Sequence, residues 1–186
     1  MALSIVVERK KKSWNFKVNP KEPDSFSNNI NNNMIDTLRI FDDKAELFSC
    51  PVQSVANYCW GEMKNSMVKP SGDTIKEGYF KVKCFVEPRN FDGEIHGIIE
   101  TKDVDGQVID TESMQDYGGP NRAGRWLIHN TYNKEKQKDS KYAFSAGCLI
   151  MSRANLEAFN IILHAYNVQP GDIITGELIE ESEDYV

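Results

Sequence analysis

Only one stretch of this chain carries the period of an amphipathic helix, and it comes late. Leu156, Phe159, Ile162, Leu163 and Tyr166 recur at three- and four-residue steps, while Glu157, Asn160 and His164 fall on the opposite side. Ser152 stands where a hydroxyl can cap the first turn, and Pro170-Gly171 ends the segment. His164 is expected to face solvent. The other apolar segments are short, as strands are, and turn residues separate them. Leu38–Phe41 and Glu46–Phe48 read as two strands turning at Asp42-Asp43. In Tyr79–Val86, Phe80, Val82, Cys84 and Val86 alternate with Lys81 and Lys83, which predicts one buried and one wet face and a buried Cys84. Ile95–Ile99 and Ile173–Ile179 read as further strands, with His96 packed or on the surface. Ser71-Gly72-Asp73 reads as a turn and Val52–Trp60 as strand or loop. Many short strands and one late helix predict a mainly β domain.

The chain begins differently. Ser4–Val7 and Trp14–Val18 flank Lys10-Lys11-Lys12 and suit a hairpin or an added edge strand. Asn19–Asn33 is rich in Pro, Ser, Asp and Asn, the composition of a linker. The expected division is an N-terminal extension over 1–34 and a main domain over 35–186. At 186 residues, with 40% hydrophobic and 27% charged, the chain can build one sizeable core. No apolar run approaches a membrane span of about 20 residues. Ala2–Val7 precedes its basic cluster, the reverse of a secretory signal. The expected location is cytoplasmic, phage-borne or non-classically exported, unless the sequence is a trimmed mature form. A net charge of −6 argues against nucleic acid as a partner. Cys50, Cys59, Cys84 and Cys148 include no CxxC pair, so no metal site is expected. A Cys50–Cys59 disulfide is conceivable.

The chemistry-bearing stretch is Gly124–Met151. An apolar run, Trp126-Leu127-Ile128, ends on His129, and a polar loop follows. Asn133–Lys141 in that loop holds four lysines against Glu135 and Asp139, which suits either a solvated connection or a lid over the site. Ser145-Ala146-Gly147-Cys148 then leads into a second apolar run. A thiol attacks a carbonyl as the thiolate, so it needs a base close by, and an imidazole supplies one. Gly147 lets the backbone approach a substrate closely, and the amides of Gly147 and Cys148 could receive an oxyanion.

The stretch resembles the L,D-transpeptidases, also called YkuD-like proteins, whose signature is a His, a variable segment, and Ser/Thr-His-Gly-Cys. Here fifteen residues separate His129 from Ser145-Ala146-Gly147-Cys148. Ile75–Val82 looks like the family's Thr-Pro-x-Gly-x-Phe-x-Val/Ile strand, and Ser152–Ile179 follows its order of helix, Gly-containing turn and strand. The sequence also looks like small, often phage-associated proteins with an Ile-His…Gly-Cys-Ile/Leu core. Ala146 and Ile150 depart from the family, which usually has His and then Arg or Asn at those positions. The resemblance implies a β-sandwich or barrel with one helix after the Cys motif, no cofactor, and acyl transfer on peptidoglycan stem peptides or related small peptides. It implies Cys148 as nucleophile and His129 as base, with the Asn130 carbonyl orienting the ring and Ser145 bracing the turn. The Gly147 and Cys148 amides would form the oxyanion hole. Arg125 and Tyr132 are candidate substrate contacts by proximity alone. A module that kept the fold without the activity, or a delivered wall-targeting thiol hydrolase, remain open readings.

Overall fold

The computed structural model describes residues 2–10, 36–55, 72–75, 77–86, 93–99, 111–115, 126–130 and 147–181. The elements in chain order are β1 (Leu3–Arg9), β2 (Asp36–Asp42), β3 (Ala45–Val52), β4 (Gly72–Ile75), β5 (Gly78–Val86), β6 (Ile95–Ile99), β7 (Thr111–Gln115), β8 (Trp126–Asn130), β9 (Leu149–Met151), α1 (Arg153–Ala165) and β10 (Ile173–Glu180). Eight strands form one sheet in the order β3-β2-β1-β10-β5-β6-β8-β9, and β4 pairs separately with β7. Gln53, just past β3, bridges to Ile150 in β9, so the first and last strands of the order meet. The sheet is thus a nearly closed barrel, and the domain is mainly β as its short apolar runs require.

Alternation sets the core. Ile5 and Val7, Leu38 and Ile40, Cys50 and Val52, Phe80, Val82 and Cys84, Trp126 and Ile128, and Leu149 and Met151 are all buried in one cluster. Their strand neighbours face the other way. Leu156, Phe159 and Leu163 of α1 join the same cluster, so the helix lays its apolar stripe on the sheet. The Ser152 hydroxyl accepts from the Asn155 amide at 3.2 Å and caps the helix as expected.

Two expectations need correcting. Leu3–Arg9 is no appended edge strand. It runs parallel to β10 on one side and antiparallel to β2 on the other, which makes it a central strand of the barrel. The division at 34/35 therefore does not describe these residues, and residues 11–34 lie outside those described. Gly72-Asp73, read as a turn, begins a strand with a register shift between the two residues. Buried Arg9 explains why the first strand is held firmly. Its guanidinium donates to Ser54 Oγ (2.9 Å), to the carbonyls of Ser54 (3.2 Å) and Ile75 (2.7 Å), and to Glu180 (3.0 Å). A desolvated cation needs such partners, and here they come from three separate segments. Cys50 carries a free thiol, so it is not half of a disulfide with Cys59, which lies outside the described residues.

Candidate active site

The site is built on two adjacent parallel strands. In their register Ile128 pairs with Leu149, His129 with Ile150, and Asn130 with Met151. Paired residues share a face, so His129 and Ile150 lie on the side opposite the core residues Ile128 and Leu149. Gln53 joins them there through its antiparallel bridge to Ile150. All three are buried although they face away from the core cluster.

Cys148 sits one residue before β9 and is partly exposed. Its sulfur accepts the Leu127 amide at 3.4 Å, where a strand would otherwise offer a carbonyl. The thiol is thus placed at the level of Leu127, two residues from His129 along the same strand. That separation is roughly 6–7 Å along the sheet, which imidazole and thiol side chains on one face can bridge. Gly147, just before it, is buried with φ +132°, a backbone conformation that L side chains rarely adopt. The glycine of the motif is therefore required by the turn that delivers the cysteine.

His129 Nδ1 lies 2.5 Å from the carbonyl oxygen of Asn130. A carbonyl only accepts, so Nδ1 carries the proton and a neutral ring leaves Nε2 as the basic nitrogen. Burial pushes the ring pKa down from 6.5 to about 4, against the opposing pull of the Asn130 carbonyl. The imidazole is neutral across the physiological range. Cys84 and Cys50 contrast with this site. Both are buried, and burial raises their thiols to about 12, with the Asp172 charge adding to the effect at Cys84. They are core residues, as the alternation of β5 implies for Cys84.

Sequence reasoning thus marked Cys148, His129, Asn130 and Gly147, and the parallel pairing of β8 with β9 brings them together. Arg125, Tyr132, Ser145 and the loop 133–141 lie outside the described residues. Two features had no sequence signal. One is Gln53, far away in the chain, which enters the same face as His129. The other is a polar cluster under α1. Asn160, placed by periodicity on the wet stripe, is buried. Its Oδ1 accepts from Nε2 of buried His96 at 2.7 Å, and its Nδ2 donates to the Glu94 carbonyl at 3.0 Å. His96 Nδ1 in turn accepts the Phe85 amide at 3.1 Å, beside the register shift between β5 and β6. His164 is exposed as expected and pairs with Glu94 at 2.8 Å. Among the described residues no group of His, Cys, Asp and Glu could hold a metal ion, and no helix is long and apolar enough to cross a membrane.

No family model and no solved structure matches the chain. A Treponema pallidum (strain Nichols) protein described as uncharacterized is 39% identical over 178 residues, which is 95% of this chain and 79% of that protein.

Proposed function

The chain belongs to the same family as that Treponema pallidum protein, and we propose for it cysteine-nucleophile acyl transfer on peptidoglycan stem peptides, of the L,D-transpeptidase or L,D-carboxypeptidase type. The finer reading of the barrel as a YkuD-like domain is part of the same proposal. One observation carries it: His129 Nδ1–H donates a hydrogen bond to the Asn130 carbonyl while a glycine turn delivers Cys148 to the start of the neighbouring strand.

The chemistry follows from that arrangement. Nε2 of neutral His129 takes the thiol proton as Cys148 Sγ attacks a peptide carbonyl carbon. The Gly147 and Cys148 amides receive the oxyanion. The C–N bond then breaks, the imidazolium returns its proton to the leaving amine, and a thioester remains on Cys148. A second amine restores an amide, or water gives a carboxylate, and the thiol is regenerated. With its ring pKa near 4, His129 acts from a neutral thiol and imidazole, so proton transfer accompanies attack. Ser145 would brace the turn, and Arg125 and Tyr132 would contact substrate.

The test is incubation with purified muropeptides and mass-spectrometric readout. Wild type should exchange or remove the terminal residue of the stem, and both Cys148→Ala and His129→Ala should not. Turnover that survives in Cys148→Ala would refute the assignment.

A further inference from the structure

The buried imidazole of His96 has no part in the proposed reaction, and it sits at an irregularity of the sheet. Lys83 pairs with Gly97 and Val86 with Ile95, so Cys84 and Phe85 together stand opposite His96 in a β-bulge. The Cys84 backbone is engaged elsewhere: its amide donates to the Asp172 carbonyl and its carbonyl accepts the Gly171 amide, both at 2.8 Å. Phe85 has φ +49°, a left-handed conformation that bulky side chains avoid. Its amide donates to Nδ1 of His96 at 3.1 Å, a side-chain acceptor where a regular ladder would use a carbonyl. Its ring is stacked on that of His164, with centroids 4.5 Å apart, and tilted against that of His96 at 4.9 Å.

The hydrogen bonds around His96 run in one direction only. Asn160 Nδ2 donates to the Glu94 carbonyl, which turns Oδ1 toward the ring. Nε2 of His96 therefore carries the proton and donates to Oδ1, and Nδ1 is the bare nitrogen that receives the Phe85 amide. A second proton can enter only at Nδ1, where it would meet that amide head on.

We propose that His96 is an acid-sensitive latch on this bulge: a solvent proton taken up at Nδ1 ejects the Phe85 amide, and Phe85 leaves its left-handed conformation and its stack on His164 while the barrel stays folded. The charged groups around the ring come from each element packed on it. On β6, the Glu94 carboxylate favours the imidazolium, and on α1, His164 opposes it. Asp172, in the turn after α1, acts on Cys84 of β5, and Lys83 of β5 is exposed on the other face. β8 presents apolar Ile128 as the partner of His96. Burial outweighs them all and lowers the latched ring from 6.5 to about 4. A released, solvated ring regains about 6.5. The advantage of the latched state is therefore complete above pH 6.5 and is lost as pH falls toward 4, by about tenfold per pH unit. The latch does not depend on the proposed acyl transfer.

The experiment is native-state hydrogen exchange of the ¹⁵N-labelled full chain, read by NMR from about pH 6.5 to 4.5 and corrected for the intrinsic pH dependence of exchange. The reference is the amide of Leu38, in β2 and paired on both sides, which reports global unfolding. The Phe85 amide should be less protected than that of Leu38 throughout, and its protection should fall about tenfold for each pH unit. Cys148→Ala should behave as wild type. In His96→Gln the carboxamide oxygen can accept the Phe85 amide and the nitrogen can donate to Asn160, with no proton to gain, so the dependence on pH should disappear. If that variant does not fold, the His96 Nδ1 resonance of the wild type decides. It should be of the unprotonated type at neutral pH and turn to the protonated type over the range in which Phe85 loses protection. Equal protection of Phe85 and Leu38 at every pH, an unchanged slope in His96→Gln, or an Nδ1 that takes its proton while Phe85 stays protected would each overturn the proposal.

Discussion

Gln53 and Ile150 exchange two backbone hydrogen bonds, 2.7 Å from the Gln53 amide and 3.0 Å from the Ile150 amide. Their exchange joins the two ends of the strand order and leaves β9 paired on both sides. Cys148 enters β9 at its start, so the placement of the thiol depends on this closure. Gln53→Pro removes the 2.7 Å donor and should cost about 2 kcal/mol or more, with faster exchange of the β9 amides. Gln53→Ala keeps the backbone pair and should leave those amides protected. Equal β9 protection in both variants would show that the bridge contributes nothing to closure.

Phe80 packs where a side chain at Gly176 would have to go. A Cβ on Gly176 would stand 2.2 Å from Cε2 of the ring, and the two residues are cross-strand partners. Gly176→Ala should therefore destabilise by about 1–3 kcal/mol in denaturant unfolding, since the ring is buried and cannot swing out. Combining it with Phe80→Leu should cost less than the two changes summed, by more than about 0.5 kcal/mol. Simple additivity would show that the two sites do not collide.

The cysteines should separate by reactivity. Cys148 is partly exposed, whereas Cys50 and Cys84 are buried, with thiols pushed to about 12. Iodoacetamide on the folded protein should label Cys148 well before either of them, read by peptide mass. Labelling of Cys84 first would contradict the register of β5.

Acid should destabilise the protein through its two buried imidazoles. Burial lowers His96 and His129 from 6.5 to about 4. The unfolded chain binds protons below pH 6.5, and the folded chain does so only near pH 4. The stabilising contribution is present above pH 6.5 and is lost as pH falls from there toward 4. Each ring accounts for up to roughly 3 kcal/mol. His96→Gln keeps a donor for Asn160 and removes one titration. Its stability should fall less steeply over that window than that of wild type. Parallel curves for the two proteins would mean that His96 takes up its proton without cost.

The same lowered ring sets the pH profile of the proposed reaction. The acid limb of kcat/KM should lie well below the usual 6.5 of histidine, toward 4, because His129 must be neutral to accept the thiol proton. An acid limb near 6.5 would assign the base to another group or to a solvated ring.

Local patterns determined a good deal of this protein. Alternation in Phe80, Val82 and Cys84 set the buried face of β5, and the Ser152 cap with the stripe Leu156, Phe159, Leu163 set α1. These are properties of a strand's two faces and a helix's turn, which the order of residues encodes directly. The spacing of His129 and Cys148 marked both as candidates, and the φ of Gly147 gives that glycine a local reason. Long-range pairing decided the rest. Nothing in Leu3–Arg9 says that it will lie between β2 and β10, because strand order depends on which edges meet after the chain has folded. An arginine such as Arg9 is of a type mostly found exposed, and Asn160 reads as a surface residue by period. They are buried because distant segments, Ser54 and Ile75 for one and His96 and Glu94 for the other, supply partners that no local pattern reveals. The face that Gln53 shares with His129 likewise exists only once Gln53 and Ile150 have closed the barrel.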